Sequence, residues 1–104
     1  MPKSIRLNDL QLGKRYYFKR PNPSRGTRCD KVYFSEQNPT STKSLFIKFG
    51  EPVVFLKIES IRDIIGPLTF YSFLLPTGYI GVVSEFDISF QLRTKALKIY
   101  KSDL

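Results

Sequence analysis

A chain of 104 residues holds one hydrophobic core, and with 41% apolar and 14% aromatic residues it can build that core without disulfide staples. The 17 Lys and Arg against 9 Asp and Glu leave a formal charge of +8. The absence of histidine removes imidazole acid–base chemistry and, with a single cysteine, the usual zinc sites.

Residues 1–12 read as an N-terminal lead-in, with Asn8 or Asp9 placed to cap a brief turn before Gly13. Residues 14–20 read as a strand dense in Tyr16, Tyr17 and Phe18, stopped by Pro21 and Pro23 because proline cannot donate to a ladder. Residues 21–30 form an exposed basic loop by their Pro, Gly and Ser content. Cys29 lies there between Arg28 and Asp30, with no second cysteine to pair with, and is expected to be an ordinary reduced thiol.

A short strand is predicted over 31–35, then a polar loop over 36–43. Leu45, Ile47 and Phe49 alternate with Phe46 and Lys48, and Gly50-Glu51 suits a tight turn, so a hairpin returning from Pro52 is predicted. Val54, Leu56 and Ile58 are its expected core face. Ile61, Ile64 and Ile65 have the spacing of a short helical turn ended by Gly66-Pro67. A second hairpin is predicted over 68–84, turning at Pro76-Thr77-Gly78. After it comes the cleanest alternation in the chain, with Phe86, Ile88, Phe90 and Leu92 on one side of a strand and Asp87, Ser89, Gln91 and Arg93 on the other. A last strand over 96–100 completes the sheet.

The only alanine is Ala96, while Ile, Phe, Tyr, Val and Thr abound, and this composition favours sheet over helix. The expected fold is all-β and mainly antiparallel: one domain over residues 1–104, a small SH3-like or OB-like barrel with at most one short helix. No run approaches the roughly 20 apolar residues that span a bilayer, and residues 1–6 lack the apolar run of a secretory leader. A cytoplasmic protein, of a cell or of an infected host, is expected, with no membrane partner.

No Gly-rich phosphate loop is present. Glu59 with Asp63, and Glu85 with Asp87, are the carboxylate pairs available to hold Mg²⁺. Two pairs far apart in sequence are better read as solvated charge, so neither an enzyme nor a cofactor is expected.

Charge is distributed unevenly. Residues 1–31 carry nine cations and two carboxylates, a net of +7, so nearly all of the excess sits in the first third. Such asymmetry points to a polyanionic partner. An aromatic residue is followed two positions later by lysine three times: Tyr17 and Lys19, Phe46 and Lys48, Phe55 and Lys57. Residues two apart share a strand face, so rings for stacking bases would lie beside ammonium groups for phosphates. Lys14, Arg15, Arg20, Arg25, Arg28 and Lys31 add phosphate contacts. The expectation is nucleic-acid binding of low sequence specificity, to single strands or duplex.

The alternative is a protein-interaction module: an accessory or host-takeover factor that docks on a larger enzyme, on an acidic protein or on itself. Its motive is residues 68–75, apolar on both faces, with Phe70 and Leu74 on one and Tyr71, Phe73 and Leu75 on the other. Scarce Ala beside abundant Lys, Ile, Phe and Ser suits an AT-rich genome, a viral one included.

Overall fold

The computed structural model describes residues 3–19, 31–36, 44–64, 66–94 and 97–102. Among the described residues are eight strands: β1 (Ser4–Ile5), β2 (Arg15–Lys19), β3 (Lys31–Glu36), β4 (Ser44–Lys48), β5 (Pro52–Asp63), β6 (Gly66–Leu74), β7 (Ile80–Ser84) and β8 (Lys98–Lys101). A helix, α1 (Glu85–Arg93), follows β7, and a 3-10 turn covers Leu7–Asp9. All strand pairs are antiparallel and make one sheet in the order β1-β8-β2-β5-β6-β7-β3-β4. The expected all-β, antiparallel class holds. The edges β1 and β4 do not pair with each other, so the sheet is not closed. Among the described residues no helix is long and apolar enough to cross a membrane.

The core lies on the inner face of this sheet. Tyr16, Phe18, Val32, Phe34, Leu45, Ile47, Val53, Phe55, Tyr71 and Phe73 all alternate inward along their strands and are buried. Phe73 is at the centre, with the rings of Phe55, Phe18 and Phe34 at 5.4, 5.7 and 6.0 Å. Phe18 and Phe34 also meet, at 6.1 Å, although β2 and β3 are separated in the sheet by β5, β6 and β7. The sheet therefore curls over on itself. Each fully buried Phe contributes roughly 1.5–3 kcal/mol. The Tyr16 hydroxyl is satisfied by accepting from the Gln11 N–H at 2.8 Å. Burial, and secondarily the Glu85 carboxylate, raises the Tyr71 phenol above its ordinary value.

Four expectations are corrected. First, β4 and β5 are not a hairpin. Gly50 adopts φ 91°, and its N–H donates to the Phe18 carbonyl at 2.8 Å, so the chain leaves β4 and runs beside β2 instead. Second, β5 buries Val53 and Phe55, while Val54 and Leu56 are half-buried and Ile58 is exposed. Val53-Val54-Phe55-Leu56 is apolar on both faces, so alternation cannot choose the inner one. The neighbours choose it, Tyr16 opposite Val53 and Phe73 opposite Phe55. Leu56 then forms a bulge, because two steps on β5 match one on β6.

Third, residues 60–63 continue β5 rather than forming a helical turn, since Ser60, Ile61, Arg62 and Asp63 pair with Thr69, Leu68, Pro67 and Gly66. Glu59 and Asp63 consequently share no helix face. Fourth, residues 85–93 are a helix, not a strand. Ser84 caps it by accepting from the Asp87 N–H at 3.2 Å, Glu85 and Asp87 lie in the first turn, and Arg93 in the last. Ile88 is buried in the core and Leu92 is half-buried, whereas Phe86 and Phe90 face outward.

Gly81 on β7 lies under the Phe34 ring. A Cβ there would sit 2.7 Å from Phe34 Cβ and 2.8 Å from Phe34 Cγ. Gly81→Ala must displace a core ring and is expected to cost about 1–3 kcal/mol by overpacking, measured as a lower urea midpoint at unchanged slope.

Candidate nucleic-acid interface

The outer face of the sheet carries the charged and aromatic side chains, in an arrangement set by antiparallel pairing. On β2 the order is Tyr17-x-Lys19, and on its neighbour β8 it is Lys98-x-Tyr100. Tyr17 pairs with Tyr100 and Lys19 with Lys98. The two tyrosine rings stack at 5.4 Å and 19°. At the other end of the sheet, Lys31-x-Tyr33 on β3 runs opposite Phe46-x-Lys48 on β4. Tyr33 pairs with Phe46, their rings 6.1 Å apart, and Lys31 with Lys48. The Lys31 ammonium lies 4.4 Å from the Phe46 ring centroid, a cation–π contact. Each block is thus two aromatic residues side by side, then two lysines side by side.

Strand direction puts the two lysine pairs at opposite edges of the sheet, because β2 and β3 run parallel. Lys19 ends β2 and Lys98 begins β8, while Lys31 begins β3 and Lys48 ends β4. The Gly50–Phe18 hydrogen bond joins the ends of β4 and β2, one residue from Lys19 and two from Lys48. Among the described residues Lys19, Lys48 and Lys98 form no ion pair. Lysines directly opposite on paired strands repel, and that costs stability unless an anion lies between them.

The remaining expected residues divide. Arg15 shares the outer face with Tyr17 and Lys19, and Lys14 is exposed just before it. Lys57 is exposed but pairs with Glu59 at 3.5 Å. Phe55 is not a stacking residue: at 1% exposure it is core, because the ring packs on Phe73 and Tyr71. Arg20, Arg25, Arg28 and Cys29 lie outside the described residues.

Sequence reading missed Tyr33, Lys98 and Tyr100. Their signal is the same motif reversed, Lys-x-Tyr at 31–33 and 98–100, and antiparallel partners of aromatic-x-Lys strands read in that reversed order.

A second surface is apolar. Beyond the bulge the β5–β6 hairpin exposes Ile58, Ile61, Ile64 and Leu68, and α1 exposes Phe86 and Phe90. Pro67, Leu68, Phe86 and Phe90 line a groove between β6 and α1. Among the described residues no group of three or more His, Cys, Asp or Glu could hold a metal ion.

Lys98→Glu turns the Lys19–Lys98 repulsion into attraction. It is expected to raise stability by about 0.2–1 kcal/mol in chemical denaturation at low salt, with the gain fading near 1 M salt. Compared with known proteins, the chain matches no family model, no curated protein and no solved structure.

Proposed function

We propose that the chain is a nucleic-acid-binding protein that acts by binding alone. It holds phosphates at the Lys19–Lys98 and Lys31–Lys48 pairs and stacks bases on the Tyr17–Tyr100 and Tyr33–Phe46 pairs. The observation that carries this reading is the repeated block: twice, two lysines sit directly opposite each other beside two adjacent aromatic residues. The like-charge pair Lys19–Lys98, without an ion-pair partner among the described residues, costs the free protein and is relieved by a polyanion. An aromatic pair at half-exposure offers bases a flat apolar face. The charge of +8 and its concentration in residues 1–31 support the same partner. Phosphate contacts carry no sequence information, so specificity from the lysine pairs is low. The architecture proposed with it is a small barrel of the SH3-like or OB-like kind, supported by the bond that draws the end of β4 to β2.

Fluorescence anisotropy with a labelled oligothymidylate and a matched duplex tests the reading. Neutralising four phosphates of a single strand gives a slope of roughly −3 for log affinity against log salt. The double variant Lys19→Gln/Lys98→Gln should shorten that slope by about half. Phe46→Ala, on a ring 49% exposed, should weaken single-strand binding by about 1–3 kcal/mol and duplex binding far less. Salt-independent binding, or none at low salt, overturns the reading.

A second reading, a docking module for a larger enzyme or for another copy of the chain, is supported by the groove of Leu68, Phe86 and Phe90. Under it, sedimentation velocity should detect a concentration-dependent species that Phe86→Ser/Phe90→Ser abolishes.

A further inference from the structure

Among the described residues β3 and β7 pair at Ser35–Val82 and Glu36–Gly81. Toward Tyr33 the two strands part, because β7 ends at Ser84 and the chain turns into α1. The gap is a hollow of about 310 Å³ that reaches from the outer-face residue Tyr33 to the core residues Phe34 and Val83. Its wall includes the aromatic rings of Tyr33 and Phe70, the hydroxyls of Ser35, Ser44 and Ser84, and the Asp87 carboxylate.

The composition of this wall narrows the ligand. Tyr33 also belongs to the outer aromatic pair with Phe46, so the hollow opens directly beside a stacking surface. The Lys31–Lys48 pair lies two residues farther along the same strands, about 7 Å away. Among the described residues the lining contains one charged group, the Asp87 carboxylate, which accepts hydrogen bonds and donates none. That carboxylate repels a phosphate, which is better held by the lysines. What enters must be flat, apolar on its faces and rich in donors at its edge.

On the reading of this face as a nucleic-acid interface, we propose that the hollow receives one unstacked guanine base. Guanine presents two adjacent donors, N1–H and the 2-amino group, which together match the two oxygens of a carboxylate. Adenine and cytosine offer one amino group beside an acceptor nitrogen, and thymine and uracil one N–H between two carbonyls. Asp87 thus selects guanine, Tyr33 and Phe70 cover the ring, and the serine hydroxyls are available to O6 and N7. The adjoining lysines disfavour a cationic side chain, the other flat donor-rich group a carboxylate attracts.

The test compares oligothymidylate with the same strand carrying one central guanine or one inosine, which lacks the 2-amino group. Guanine should tighten binding about tenfold, within the range for a bidentate base contact, and inosine should lose most of that gain. Asp87→Asn should abolish the preference while leaving oligothymidylate affinity unchanged, which separates loss of the contact from loss of the fold. Tyr33→Leu should reduce the guanine gain as well. Equal affinity for the three strands would overturn the guanine site and leave the broader nucleic-acid reading intact. Failure of every strand to bind at low salt would overturn both. An equal loss for all strands in Asp87→Asn, or displacement of the guanine strand by N-acetylarginine amide but not by guanosine, would also overturn it.

Discussion

The Phe73 ring sits where four strands must converge, and the contacts of Phe55, Phe18 and Phe34 around it force the sheet to curl. A flat eight-stranded sheet would hold β2 and β3 four strand spacings apart, near 19 Å, and their rings could not meet. Because Phe18 and Phe34 are in contact, the two ends of the sheet face the same interior. The Gly50–Phe18 backbone bond fastens this curl at the rim. That bond ties the end of β4 to the end of β2, although nothing in their local sequence connects them.

Antiparallel pairing makes the outer surface from the same strands. A strand written aromatic-x-Lys, laid against one written Lys-x-Tyr, aligns ring with ring and ammonium with ammonium. The stacked rings return some stability, and the opposed ammonium groups take some away. The third aromatic-x-Lys motif has a different fate. On β5 the ring of Phe55 is needed inside, the bulge at Leu56 separates it from Lys57, and Lys57 is left with Glu59 as its partner. Identical local patterns thus contribute surface on β2 and β4 and core on β5, according to what lies across the ladder.

The end of the molecule carrying α1 has a different character. There the β5–β6 hairpin runs past its neighbours, while α1 turns Ile88 into the core. Phe86 and Phe90, four residues apart, form a separate exposed row facing Leu68. The same departure of α1 from the sheet opens the hollow beside β3, so one change of secondary structure at Ser84 creates both features.

Much of this was legible in the residues alone: the sheet-forming composition, strands near β2, β3, β4 and β6–β7, the polar segments between them, and the burial of Leu45 and Ile47. These follow from period-two alternation and turn chemistry, which are local. The helix was partly legible. Apolar residues at 86, 88, 90 and 92 alternate as in a strand, yet on a helix the same four become two i, i+4 pairs on opposite sides, and only Ser84 with Asp87 three residues later marks the cap. What the tertiary structure alone decided was which strand lies beside which. The inner face of β5, the separation of β4 from β5 and the meeting of Tyr17 with Tyr100 and of Tyr33 with Phe46 all depend on partners distant in the chain. Alternation specifies two faces, and only the packed neighbour determines which of them is inside.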